Sequence, residues 1–507
     1  MKPHLMTTLG LLAMPLTPAR ATPPDPMVSA REMAQQIHTG ALTSEAAVTQ
    51  ALNRIAEKNP ALNAVVTLNP LALPQAREAD AAVKRGDRLG PLHGVPIVVK
   101  DTYSTAGVLT TAGYPALKDY VPTEDSVVVS LLRKAGAIIV GKGNTPTLAM
   151  DMQTDNPVFG RTNNPWKVER TSGGSTGGDT VAVATGMAAL GFGSDLAGSL
   201  RIPTAYCGIY GLKTTYGVVS KVGHVPPLPG AIDGLHSLAV LGPVARSIDD
   251  LRLALEVIAQ PDSRDRTVVP HLPESTAPKP IKSLRVAWVD EFGGIPVSAE
   301  IRAQIRAFAA RLEAAGAHVE QAQPKNFPYQ QVWETWGGLV AHQGGYDVPD
   351  FAKALGEFFA AGSVKNIPHQ RQIIGTTSVA KYMTLLTKQR DYSNQLENFL
   401  DDYDLWLCPV SSTTAFAHLR PTSHFGDFSV YDTPLVVDGQ NVPYYVATQS
   451  YTTLFAVTEN PVVTMPLGLD SQGLPIGVQL VGKRYGDFAL LQAAEALDAY
   501  HDRVELR

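Results

Sequence analysis

Residues 173–203 read GGSTGGDTVAVATGMAALGFGSDLAGSLRIP, and the fold and chemistry of this chain turn on that stretch. Two serines, Ser175 and Ser199, each sit among glycines, and a helix-like segment over Thr180–Ala189 separates them. Glycine admits turns that other residues resist and lets a ligand approach the backbone closely. A serine in such a turn presents its hydroxyl beside several free backbone N–H groups. Acyl transfer needs that combination: a nucleophile plus donors for the oxyanion.

Two other readings of the stretch are weaker. Gly/Ser-rich sequence often forms a flexible linker. Here, however, the two turns flank an apolar segment and run into the apolar block LRIPTAYCGIYGL. Gly173-Gly174-Ser175-Thr176-Gly177 also fits G-x-S-x-G, the nucleophile elbow of α/β-hydrolases. That elbow requires an apolar strand just before it, whereas the preceding RTNNPWKVERTS is polar and turn-rich.

Working outward, the second serine lies in Asp195-Leu196-Ala197-Gly198-Ser199-Leu200-Arg201-Ile202-Pro203, 24 residues after the first. A lysine ends an apolar run in His93-Gly94-Val95-Pro96-Ile97-Val98-Val99-Lys100-Asp101. With GKGNTPTLAMDMQTDNPVFGRTNNPW at 141–166, CGIYGLKTTYGVVS at 207–220, LAVLGPVARSIDDL at 238–251 and NPVVTMPLGLDSQGLPIGVQLVG at 460–482, this ordered set resembles the amidase signature family over most of the chain.

The resemblance implies an α/β fold, with a mixed central β-sheet covered by helices on both faces. It implies a single domain over 22–507, with a variable helical and loop region about 328–450 that, together with 145–153, shapes the substrate pocket. The implied activity is hydrolysis of a carboxylic amide to an acid plus an amine or ammonia, on linear C–N bonds (EC 3.5.1, nearest to 3.5.1.4). The partner is a small-molecule amide, and no metal or organic cofactor is implied. Lys100 is then the base, Ser175 the bridging residue in a cis peptide, and Ser199 the nucleophile. The N–H groups of Leu196, Ala197, Gly198 and Ser199 form the oxyanion hole. Thr176, Asp195 and Arg201 support them, the last two as an ion pair that anchors the loop.

Chemically the set is coherent. A serine hydroxyl is a weak nucleophile until a base takes its proton, and a lysine surrounded by apolar strand residues loses the solvation that favours its charged form. The chain departs from the family pattern at Leu196-Ala197, where Thr/Ile-Gly is commoner and Ala197 restricts φ, and at Asp179, a position that is usually small or acidic. Three other functions fit part of the pattern: a carbamate or ester hydrolase with the same triad, an amidotransferase A-type component, and a non-catalytic binding protein.

The 507 residues are 44% hydrophobic and 18% charged, enough to bury a large core. A net charge of −5 without long charge runs recommends neither nucleic acid nor an anionic membrane surface as a partner. Cys207 and Cys408 lie far apart and have neither zinc nor redox spacing. The N-terminus, MKPHLMTTLGLLAMPLTPARATPPDP, has Lys2, an apolar run from Leu5 to Leu16 and Ala19-Arg20-Ala21. That is the form of a secretory signal over 1–21, cleaved after Ala21, and it predicts a periplasmic or secreted protein. No other segment is long and apolar enough to span a membrane. Oligomeric state leaves no mark in the sequence.

Periodicity places helices early, with stops near Gly40 and Pro60, and again over 72–85, 125–135, 247–259, 298–315, much of 328–400, and 487–500. Short apolar runs at 95–100, 137–140, 284–289, 318–322 and 405–408, and near Val462 and Ile476, read as strands, whereas 411–446 reads as a long irregular loop. Ser378-Val379-Ala380-Lys381 mimics the S-x-x-K of penicillin-recognising enzymes, and Lys213-Thr214-Thr215 mimics K-T-G. They lie in the wrong order and lack S-D-N, so a helix surface is expected at Ser378. His93 and His224 lie near family motifs and are expected to be structural.

Overall fold

In the computed structural model of the chain, residues 28–224, 238–269, 279–344, 377–425, 428–502, 504 and 506 are described. The signal segment expected over 1–21, its cleavage point and part of the variable region lie outside them. Eleven strands form one mixed sheet. They are β1 (Val65–Leu68), β2 (Pro96–Lys100), β3 (Ile138–Gly143), β4 (Leu190–Asp195), β5 (Tyr210–Lys213), β6 (Val240–Ala245), β7 (Arg285–Trp288), β8 (His318–Gln321), β9 (Leu405–Pro409), β14 (Val462–Leu469) and β15 (Pro475–Val481). Their order across the sheet is β1-β3-β2-β4-β6-β5-β14-β15-β9-β7-β8. At one end β2 runs parallel to β3 and β4, at the other β7 runs parallel to β8 and β9, and the strands between are antiparallel. The expected mixed sheet is present.

Twelve α-helices accompany the sheet among the described residues. They are α1 (Ala30–His38), α2 (Ser44–Leu62), α3 (Ala72–Arg85), α4 (Val127–Lys134), α5 (Gly177–Ala184), α6 (Arg201–Cys207), α7 (Ile248–Ile258), α8 (Ala299–Ala314), α9 (Tyr329–Gly344), α10 (Val379–Leu400), α11 (Tyr444–Val457) and α12 (Asp487–Asp498). The alternation of β2 shows how they divide. Successive strand side chains point to opposite faces. Ile97 and Val99 enter a core shared with α1, α4 and α7, whereas Val98 enters one built with α2, α3 and α5. Lys100, two residues beyond Val98, therefore projects toward α5.

Several expected boundaries differ. The helix expected over Thr180–Ala189 is α5, which starts at Gly177 and stops at Ala184, because Gly186 turns the chain at φ +73° and residues 185–189 lead into β4. α2 runs through Pro60 to Leu62 and is stopped instead by Asn63, left-handed at φ 49°. A proline in the final turn removes only one donor. Residues 411–446 are not one loop. They hold two hairpins, β10 (Ser423–Phe425) with β11 (Phe428–Val430) and β12 (Leu435–Val437) with β13 (Gln440–Val442), and then the start of α11. The second hairpin turns at Asp438-Gly439, both at positive φ, a dipeptide suited to a two-residue turn. β1, β5 and β6 are too short, or too rich in glycine and proline, for periodicity to register.

Candidate active site

The site forms where β2, β4 and the N-terminus of α5 meet. Lys100 is fully buried at the end of β2. Its Nζ lies 2.5 Å from Ser175 Oγ, 3.1 Å from Ser194 Oγ and 3.2 Å from Thr176 Oγ1. Burial holds this lysine down at about 7, while the carboxylates of Asp179 and Asp195 pull it back up. A substantial neutral fraction therefore exists at neutral pH, with the amine within hydrogen-bonding distance of Ser175.

Ser175 follows a cis Gly174–Ser175 peptide. Gly174 is required by close approach, since a Cβ there would stand 2.8 Å from the carbonyl oxygen of Asp151. The next residue, Thr176, donates its N–H to the Ser199 carbonyl at 3.0 Å. That bond brings the two serine turns together although the sequence separates them. Ser199 is 4% exposed, and its hydroxyl makes no hydrogen bond among the described residues. The structure thus brings Lys100, Ser175 and Thr176 within hydrogen-bonding distance and sets the Ser199 backbone against Thr176.

The Ser199 turn is held from below by a buried ion pair. Arg201 Nη2 reaches Asp195 Oδ1 at 2.8 Å and Arg201 Nε reaches Oδ2 at 2.9 Å, with both side chains fully buried. Burial alone would raise the Asp195 carboxyl, but the Arg201 guanidinium outweighs it and holds the group at about 2. The carboxylate also accepts the N–H groups of Gly198 and Leu200. Of the four N–H groups expected to line the oxyanion hole, that of Gly198 donates to Asp195 at 2.8 Å, and among the described residues those of Leu196, Ala197 and Ser199 remain unengaged. Gly198 stands at φ +116°, and a Cβ on it would lie 2.4 Å from Thr452 Oγ1. Ala197 is not among the residues at positive φ.

Several contributors escape a motif-based reading. Ser194 becomes visible only once 190–195 is known to be a strand. Trp336 on α9 donates its Nε1–H to the Leu196 carbonyl at 3.2 Å, and Thr452 on α11 donates to that of Ala197 at 2.5 Å. Arg201 Nη1 spans to the Thr452 carbonyl and to Gln479 Oε1. Two helices from the poorly periodic second half thereby fix the carbonyls of the peptides that follow Leu196 and Ala197, and with them the direction of the N–H groups in this loop.

The other candidates are structural. Ser378 caps α10, accepting the Lys381 N–H. Lys213 donates to the carbonyls of Thr214 and Asn460. His93 bonds the Ala79 carbonyl, and His224 pairs with Thr102 Oγ1. Cys207 and Cys408 are buried and unpaired. No helix among the described residues is long and apolar enough to cross a membrane.

Known proteins carry the same framework. The family profile described as Amidase matches residues 46–491. The glutamyl-tRNA(Gln) amidotransferase A-type component of Moorella thermoacetica is 34% identical, over 94% of this chain and 98% of that protein. An acylamidase of Rhodococcus erythropolis is 30% identical, over 93% of this chain and 95% of that protein. Among solved structures, a fatty acid amide hydrolase superposes with a TM-score of 0.78 at 26% identity, covering 94% of this chain and 86% of that one.

Proposed function

The chain belongs to the amidase family, and from that premise we propose that it is an exported amidase that cleaves a small linear carboxylic amide through an acyl-enzyme on Ser199. One observation carries the reading: a fully buried lysine, held near neutrality, sits 2.5 Å from a serine whose neighbour is bonded to the backbone of a second serine, itself buried. In acylation, Ser199 Oγ attacks the amide carbon and its proton passes to Ser175, while the Ser175 proton passes to Lys100 Nζ. The oxyanion accepts hydrogen bonds from Leu196, Ala197 and Ser199 N–H. As the C–N bond breaks, the proton returns from Lys100 through Ser175 to the departing nitrogen. Water then takes the amine's place and the same relay runs again, releasing the acid.

The nearest reaction class is that of simple amidases, EC 3.5.1.4. Export is supported by the apolar run Leu5–Leu16 followed by Ala19-Arg20-Ala21. An amidotransferase A-type role is the second reading, favoured by the identity to the Moorella protein. The test is to assay the purified lone chain, lacking residues 1–21, on aliphatic, aryl and anilide amides with matched esters and carbamates. Release of acid and amine in equal amounts from amides, absent in Ser199→Ala, supports the proposal. Turnover confined to esters or carbamates, or ammonia release from glutamine only with added partner proteins, contradicts it.

A further inference from the structure

The relay described above leaves one buried acid unused. Asp179 lies in the first turn of α5, four residues past Ser175. Its side chain is fully buried, and neither carboxyl oxygen has a hydrogen-bond partner from another residue among the described residues. Two glycines make its slot. A Cβ on Gly143 would fall 2.4 Å from the Asp179 Oδ2, and one on Gly191 would fall 3.1 Å from the Asp179 Cβ. Gly143 on β3 is in register with Lys100, and Gly191 on β4 is in register with Val98. The carboxyl therefore lies over the three strands β3, β2 and β4, on the face from which Lys100 projects.

An unpaired buried carboxyl is expensive to maintain. Its surroundings indicate what it serves. The charged groups facing it are Lys100 on β2, Lys142 on β3 and Asp101 just after β2. The Lys142 ammonium is already taken by the Tyr103 carbonyl and the hydroxyls of Thr105 and Thr110, and Asp101 accepts from Thr111 through Oδ2 alone. Lys100 is faced in addition by Asp195, and His224 lies within reach of its charge. Asp195, however, is closed off by Arg201. Of the acids around Lys100, Asp179 is the one neither of whose oxygens has a hydrogen-bonding partner from another residue among the described residues.

We propose that Asp179 is a positioning residue for the reaction, supplying the counter-charge to the ammonium that forms when Lys100 takes the relay proton, so that the lysine remains a base strong enough to draw that proton through Ser175. This inference rests on the reading of Lys100 as the base. Burial drives the lysine toward its neutral form and the carboxyl toward its protonated form, and each charged form favours the other. Without Asp179, the buried ammonium keeps only the offset of Asp195, a carboxylate already paired with Arg201, and Lys100 becomes a weaker base.

The test follows the second-order rate of Ser199 inactivation by phenylmethanesulfonyl fluoride against pH, in the wild type, Asp179→Asn, Asp179→Ser and Lys100→Ala. The proposal expects the rising limb to move to lower pH by about one unit or more in both Asp179 variants, since an opposite charge shifts a neighbour by one to three units. The plateau rate should fall with it. Because Asn and Ser differ in volume but share the loss of charge, equal shifts exclude a packing role. An unmoved limb in the folded variants overturns the proposal, as does failure of both to fold, which would make Asp179 structural. If the wild-type limb survives in Lys100→Ala, the base assignment itself fails, an outcome separate from either result at Asp179.

Discussion

Arg201 closes on Asp195 through two hydrogen bonds, Nη2 to Oδ1 at 2.8 Å and Nε to Oδ2 at 2.9 Å, with neither side chain exposed. The same carboxylate accepts the N–H groups of Gly198 and Leu200, one on each side of Ser199. The nucleophile's turn is therefore wound around one anion. Breaking a buried pair by removing one partner typically costs about 3–5 kcal/mol. Arg201→Met should lower the melting temperature sharply and depress kcat more than it raises KM. The acid side should show the same pair. Asp195 titrates at about 2 when folded against an ordinary 3.8, so its contribution is present above pH 4 and is lost as pH falls through 2. Acid unfolding of Arg201→Met should begin at higher pH than that of the wild type, as followed by circular dichroism.

Trp336 gives a milder test of the oxyanion loop. Trp336→Phe keeps an aromatic ring but removes the bond to the Leu196 carbonyl. A neutral hydrogen bond is worth about 1 kcal/mol net, which corresponds to roughly a fivefold loss in kcat/KM. The loss should fall on kcat, with the melting temperature little changed. Equal losses for Trp336→Phe and Trp336→Ala would support a role through this bond rather than through ring packing.

Ser378 provides the control. Its hydroxyl caps α10 and lies in a motif that mimics another hydrolase class. Ser378→Ala should cost about 1 kcal/mol of stability, as loss of a helix cap does, and leave kcat unchanged. A large fall in kcat with stability intact would restore it as a nucleophile candidate.

The pH profile follows from Lys100. Burial holds it near 7, and only its neutral form accepts the proton, so kcat/KM should rise through neutrality along one limb and stay high into alkaline conditions. Lys100→Arg should not restore activity, because a guanidinium remains protonated. Near-normal amide turnover by Lys100→Arg would show that another group is the base.

How far the sequence revealed this arrangement depends on the residue. Lys100, Ser175 and Ser199 stand in local patterns whose glycines and spacing are themselves the signal, so they could be found without coordinates. The Asp195–Arg201 pair was legible for the same reason, being six residues apart in one motif. Trp336 and Thr452 were not legible, because they reach the loop only through tertiary packing of α9 and α11, and no local pattern marks a residue that touches another 140 or more positions away. That the Gly198 N–H donates to Asp195 could not be read from the motif, because a motif cannot say which donors an adjacent carboxylate will engage. The hairpin at Asp438-Gly439 had a turn signal, but its three-residue strands were too short for alternation to show.

The central claim is that Ser199 carries the acyl group, and covalent mapping tests it most directly. The wild-type chain and Ser199→Ala would be treated with a fluorophosphonate, digested, and the modified peptide sequenced by mass spectrometry. One adduct is expected on the wild type, on Ser199 within DLAGSLRIP, and none on Ser199→Ala, whose amide turnover should fall by about a thousandfold or more. An adduct on Ser175 or Ser378, together with retained activity in Ser199→Ala, would contradict it.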